Sequence, residues 1–259
     1  MRYQKTLTAL SILLSAVLTH PSHAIVNIEE MRGKPQQDGW SGNTSLSIRG
    51  DSGNTNKSST SVDGQLYWRR NNITRLIATS YTYGVNNRNR DTNKGFIHLR
   101  HITQQTPTMA LEVFTQATRN EFARLSLRAL IGAGTRLTLH ESSASNATHL
   151  GLGAFYVSET LEKRPRLVDG GTDKFWRANI YVALRYQFND HARITSTTYY
   201  QPALDNGRDY RILEEGSLKV KLAETLNLKL SIEVAHDSQP PQQVEQTDIS
   251  YKTGIEYRF

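Results

Sequence analysis

The residue types of nucleophilic catalysis come together once in this chain, as His140, Glu141 and Ser142 with Asn146 close behind. A histidine that activates a serine needs hydrogen-bond reach to it and a third group to fix its tautomer. The set falls in what reads as a turn between two extended segments. Ordinary turn chemistry accounts for polar residues there, so no catalytic residue is assigned. His98 and His101 are three apart, which on a strand puts them on opposite faces and makes a poor metal pair. Glu159, Glu162, Asp169 and Asp173 have the charge for calcium but not the spacing of a calcium loop, and they read as a solvated loop. Gly132-Ala133-Gly134 and Gly151-Leu152-Gly153 lack the spacing and the following helix of a phosphate loop. The 259 residues contain no cysteine. Thiol nucleophiles, disulfides and zinc–thiolate sites are therefore excluded. No metal-binding or cofactor-binding residue, and no cofactor, is expected.

A second set of charged residues is larger and more regular. Arg124, Arg128, Arg136, Arg177, Arg185, Arg193, Lys219, Lys221 and Lys229 fall on one side of a two-residue alternation, against Asp63, Glu112, Glu233 and Glu256. Rings of Arg and Lys line anion-favouring pores. The same residues could instead fill a narrow bore with paired charges, and that plugged reading is preferred.

The elements that must carry these residues are strands. Trp176, Ala178, Ile180, Val182, Leu184, Tyr186 and Phe188 alternate with Arg177, Asn179, Tyr181, Ala183, Arg185 and Gln187. A helix would scramble those two sets. Twelve segments read this way: 40–50, 58–70, 73–84, 93–103, 108–118, 122–139, 146–160, 174–188, 191–203, 208–223, 226–237 and 247–259. Segment 122–139 is long enough for two strands, and Gly132 and Gly134 are expected to mark a bend within one. Short turns at Asn71-Asn72, Asn189-Asp190 and 223–225 alternate with longer loops at 51–57, 85–92, 161–173 and 238–246. The connection after Ala117 departs from this pattern by being short, and that at 140–147 by being long.

Residues 1–24 stand apart. Arg2 and Lys5 precede an apolar run from Leu7 to Leu18, and Ser22-His23-Ala24 has small residues where a signal peptidase cuts. The run is too short to cross a bilayer as a helix, which takes about 20 residues. Cleavage after Ala24 is expected, with Ile25 as the mature start, and an intact Met1 in a mass spectrum of the membrane-fraction protein would refute it. Loss of Arg2 and Lys5 lowers the net charge from +7 to +5, and the remaining basic residues are spread along strands rather than clustered for nucleic acid. No later stretch is apolar enough for a membrane helix, which leaves a closed barrel as the way to span a membrane.

Alternation alone does not say which face meets water. Long ionised side chains in strand centres suit a wet interior and not a lipid face. Aromatic residues gather at strand ends: Trp40, Trp68, Tyr186, Phe188, Tyr257 and Phe259 toward one rim, Trp176 and Tyr200 toward the other. Such belts mark the two membrane interfaces. The alternating C-terminal strand ending on Tyr257 and Phe259 resembles the signal read by the outer-membrane assembly machinery. Losing Phe259, or changing it to Ser, should lower the yield of folded barrel on heat-modifiable gels.

Four stretches resemble the salt-induced outer-membrane proteins, a bacterial domain family of unknown function. They are Ser52-Gly53-Asn54-Thr55, Tyr67-Trp68-Arg69-Arg70, Ala110 to Gln116, and Glu121-Phe122-Ala123-Arg124-Leu125 through Arg128 to Gly132-Ala133-Gly134. The resemblance covers about residues 40–259. It implies barrel membership and a link to salt stress, and it carries no catalytic residue.

The expected protein is all-β: a closed antiparallel transmembrane β-barrel of about twelve strands, of outer-membrane type. A signal peptide (1–24) and a periplasmic lead-in (25–39) precede the barrel (40–259), and both termini face the periplasm. The expected partners are outer-membrane lipid and the barrel assembly machinery, with no nucleic acid. The alternatives are a small anion-favouring channel, an outer-membrane lipid-modifying enzyme and a soluble periplasmic lipid carrier with an inverted barrel.

Overall fold

A computed structural model of the chain describes residues 38–51, 57–143, 146–224 and 226–257. The expected signal peptide, nearly all of the lead-in, and Phe259 lie outside the described residues. Twelve strands follow one another: β1 (Gly39–Asp51), β2 (Lys57–Arg70), β3 (Ile73–Asn86), β4 (Asn89–Thr106), β5 (Met109–Asn120), β6 (Leu125–Ser143), β7 (Asn146–Leu161), β8 (Gly171–Gln187), β9 (Ala192–Pro202), β10 (Tyr210–Lys221), β11 (Leu226–Asp237) and β12 (Thr247–Tyr257). They form a single sheet in chain order, every pair antiparallel. Among the described residues no ladder joins β1 to β12. No helix of the described residues is long and apolar enough to cross a membrane.

The period-two pattern sets the faces, and β8 shows how. Arg177, Asn179, Tyr181 and Ala183 are each 5% exposed or less, while Trp176, Ile180, Val182 and Leu184 are each at least 36% exposed. The alternation is inverted relative to a water-soluble sheet, with ionic and polar side chains buried and aliphatic ones outside. Cross-strand partners share a face, so the register carries this inversion along the sheet: Phe155↔Arg177 joins β7 to β8, and Tyr181↔Tyr199 joins β8 to β9. Leu66, Ile77, Leu99, Val113, Ile131 and Leu152 continue the exposed apolar surface on β2 to β7. Aromatic pairs border it. Tyr186 and Phe188 meet edge to face at 5.0 Å beside the β8–β9 turn, and Tyr156 and Trp176 lie 5.4 Å apart toward the other end of their strands.

Three sequence expectations change. Residues 85–92 are not a long loop: β3 and β4 run on through them to a tight turn at Asn87 and Arg88, both with positive φ. That left-handed pair matches the twist a two-residue hairpin requires. The 140–147 connection is likewise short, because β6 continues to Ser143 and β7 starts at Asn146. Segment 122–139 is one strand, β6, but Gly132 and Gly134 do not bend it. The β5–β6 and β6–β7 registers pass through both glycines unbroken, and the shifts fall at Thr118/Asn120, Leu125/Leu127, Thr138/His140 and Glu141/Ser143. These glycines make room for neighbours. A Cβ on Gly132 would sit 2.6 Å from both Phe114 and Phe155, and one on Gly151 would sit 1.9 Å from the Tyr181 ring.

Candidate functional site

The connections at one end of the sheet are short: 71–72, 107–108, 144–145, 188–191 and 222–225. Those at the other end include the longer 162–170, 203–209 and 238–246. At the long-loop end the inner face holds a dense ionic network. Arg128 Nε donates to Glu159 Oε1 at 2.8 Å, and Arg211 Nη2 donates to Glu159 Oε2 at 2.9 Å. Arg211 Nε also donates to Asp237 Oδ2 at 2.8 Å. Two strands, β8 and β9, separate Glu159 on β7 from Arg211 on β10. The pair spans them because the sheet curls and its inner side chains reach across the concavity. Arg177 donates to both carboxylate oxygens of Asp209 at 2.6 and 2.8 Å and to the Gln201 carbonyl at 2.9 Å.

Arg124, in the turn between β5 and β6, ties three connections together. Its Nη1 donates to Asp169 Oδ1 (2.8 Å) and to the Gln242 carbonyl (2.8 Å), and its Nη2 to the carbonyls of Glu162 and Asp169. Gln242 N–H donates back to Asp169 Oδ2 at 2.7 Å. The β7–β8 and β11–β12 loops are thereby locked over the end of the network. A cavity of about 270 Å³ remains beneath them, lined by Arg128, Glu159, Arg177, Arg211, Pro241 and Asp248 among others. Partial desolvation opposes ionisation of Asp169, but hydrogen bonds from Arg124 and the Gln242 N–H outweigh it and hold the carboxyl below its usual range. A depressed folded-state pKa gives a lock that is complete above about pH 4 and released as pH falls through that lowered value. Conductance of the protein in planar bilayers should therefore be equal at pH 7 and pH 5 and rise only once the pH is brought below the ordinary carboxylate range. Arg124→Ala should show the raised level already at pH 7.

The short-turn end is more open. A cavity of about 590 Å³ is lined there by Tyr67, Arg69, Arg136, His149, Arg185 and Glu141 among others. Between the two ends, Arg100 donates to Glu112 at 2.8 Å and to His98 Nε2 at 3.1 Å, and it lies 5.0 Å over the Phe114 ring.

Eight of the nine basic residues expected inside separate into two groups. Arg124, Arg128, Arg136 and Arg177 are buried, and Arg185, Arg193, Lys219 and Lys221 are half-buried on the same inner face. Lys229 is the ladder partner of Lys219, and its side chain lies outside the described residues. Tyr257 pairs with Leu226, again with its side chain outside them. The structure adds Arg100, Arg211 and Glu159. Arg211 stands on the Arg211, Leu213, Glu215, Ser217, Lys219 alternation, which places it on the inner face with Lys219. Glu159 is not a solvated loop acid as expected: it ends the Phe155, Val157, Glu159 alternation on β7 and is 7% exposed. His140, Glu141 and Ser142 belong to β6, not to a turn, and are exposed, while Asn146 accepts from Gln187 N–H at 2.7 Å. His98 and His101 point to opposite faces, His98 buried against Gln116 and His101 beside Thr103. Among the described residues no group of three or more His, Asp or Glu could hold a metal ion.

A family model described as a protein of unknown function, DUF481, matches residues 44–259. No curated relative matches the chain. Among solved structures, the NanC porin is 12% identical, covering 83% of this chain and 100% of its own, with a TM-score of 0.47. The translocator domain of the autotransporter NalP from Neisseria meningitidis is 11% identical, covering 89% of this chain and 92% of its own, with a TM-score of 0.46. The beta domain of the Bordetella autotransporter BrkA is 10% identical, covering 85% and 98%, with a TM-score of 0.38.

Proposed function

The chain belongs to the DUF481 family of proteins of unknown function, and from that premise we propose that it is an outer-membrane β-barrel of a Gram-negative bacterium with a plugged lumen. The inverted sheet carries this reading. Ile180, Val182 and Leu184 are exposed while Arg128, Arg177 and Glu159 are buried, an arrangement that is costly in water and suited to lipid. Lipid also forbids unpaired strand edges. β1 and β12 therefore pair to close the barrel, and the folded protein requires detergent and resists SDS until heated. Short turns face the periplasm, as do both termini, after removal of residues 1–24. The assembly machinery reads the end at Tyr257 and Phe259. The role is structural or stress-related, with the salt link resting on the family resemblance alone, and it is not enzymatic.

Single-channel recording in planar bilayers tests the plug. Rare, small conductance steps are expected, because each buried arginine at the long-loop mouth has a carboxylate partner. Large, stable, cation-selective steps would refute it. The basic short-turn mouth favours one second reading, a small channel that passes chloride ahead of potassium.

A further inference from the structure

Near the short-turn end, a row of polar and aromatic side chains crosses the apolar outer wall. The ladder runs Trp40↔Trp68, Trp68↔Arg75, Arg75↔His101 and His101↔Val113, from β1 to β5. Cross-strand partners share a face, so two indole rings, a guanidinium and an imidazole stand side by side. Arg75 is exposed and lies one same-face step, about 7 Å, in from Ile73, where β3 begins. Leu66, Ile77, Leu99, Thr115 and Ile131 form the next row inward. The two rows line a groove of about 600 Å³.

Among the described residues no acid is within ion-pair distance of Arg75, and its guanidinium lies 4.9 Å over the Trp68 ring. Stacking of this kind fixes the guanidinium plane and leaves its donor fork, which matches the oxygens of a phosphate. His101 Nε2 lies 3.2 Å from the Thr103 hydroxyl, and its Nδ1 has no partner among the described residues. With the hydroxyl donating to Nε2, Nδ1 carries the proton and is a second donor beside Arg75. An arginine on a lipid-facing wall costs little only at headgroup depth, the level that indole rings also prefer. Donors at that level above an apolar groove match the two parts of a phospholipid. The row contains no acid to receive the ammonium of a zwitterionic headgroup, which favours an anionic one.

We propose that this groove binds an anionic phospholipid of the periplasmic leaflet, with its phosphate on Arg75 and His101 and an acyl chain along Leu66, Ile77, Leu99 and Ile131. The site rests on the barrel reading above, in which the outer face meets lipid and the short turns face the periplasm.

Tryptophan quenching by lipids brominated on their acyl chains tests this. The chain has three tryptophans, and Trp176→Phe leaves Trp40 and Trp68, both at the groove, as reporters. Full-length protein in that background is folded into phosphatidylcholine vesicles, with heat-modifiable gels to show that each variant is folded. Brominated phosphatidylglycerol is then compared with brominated phosphatidylcholine at equal share. The phosphatidylglycerol should occupy the site about fivefold more readily, the preference that one arginine gives near a headgroup. Arg75→Gln should remove the preference. Arg119→Gln, exposed toward the long-loop end of β5, should leave it unchanged. Inorganic phosphate should lower the quenching no more than sodium chloride of equal ionic strength does. The site is overturned if the two lipids quench equally, if Arg75→Gln keeps the preference, if Arg119→Gln removes it too, or if inorganic phosphate displaces the lipid. If neither lipid quenches the folded protein, or if the chain stays soluble without detergent, the barrel reading fails instead.

Discussion

Glu159→Ala is expected to destabilise the folded protein by about 3–5 kcal/mol, the cost of removing one partner from a buried ion pair. Glu159 is the shared acceptor of Arg128 and Arg211, and side chains at this site are at most 9% exposed. Without it two guanidinium groups face each other with Asp237 as their nearest acid. Urea unfolding in lipid vesicles, followed by tryptophan fluorescence, measures the loss. Bilayer recording should show larger and more frequent steps, because repulsion drives Arg128 and Arg211 apart where the bore was filled. Replacing Arg128, Glu159, Arg211 and Asp237 together by apolar residues of similar volume removes two charges of each sign. That variant should recover most of the stability, since a whole buried network can be exchanged at little cost while a broken one cannot. A loss below about 1 kcal/mol for Glu159→Ala would mean that water reaches the site and that the mouth is not plugged.

Gly151→Val should all but abolish folding. The Tyr181 ring lies over Gly151, and an added Cβ would fall 1.9 Å from it. Gly151 and Tyr181 are direct ladder partners on the inner face, and Tyr181 is itself held 5.1 Å from Tyr199. The ring must then push against Tyr199, or the β7–β8 pairing must separate. Overpacking in an interior usually costs about 1–3 kcal/mol, and a clash this close exceeds that range. On heat-modifiable gels the folded fraction should drop below about a tenth of wild type. Gly151→Val combined with Tyr181→Ala should restore most of it. Failure of that rescue would show that Gly151 is required for its backbone and not for the space above it.

The strands were legible in the sequence because a sheet with one apolar face writes its period into the chain. Trp176 to Phe188 gives the faces of β8, which itself starts earlier, at Gly171. What the pattern could not give was where strands stop. Asn87 and Arg88 carry the turn, but the polar residues around them extend β3 and β4 beyond the apolar belt, where hydropathy no longer alternates. The inner side of the sheet was legible as a face and not as a network. The parity of Arg128 and Arg177 showed them inside, but partners such as Glu159 and Arg211 meet through the curl of the sheet across two intervening strands. No local spacing encodes that meeting. The glycines misled for a related reason: Gly132 and Gly151 answer to rings on neighbouring strands, which their own segments do not show.

Among the described residues every strand pairs only with its neighbours in the chain, so the wall is modular in units of two strands. Excising residues 57–86, the hairpin of β2 and β3, would bring β1 beside β4 with the directions, the faces and the side of both ends all preserved. The result should be a narrower, ten-stranded wall that keeps the Arg124 lock, and gel mobility before and after heating would show whether it closes. A chain laid out this way can change its bore by duplication or loss of a hairpin without rethreading, so strand number is free to drift among descendants while the order of the remaining strands is not.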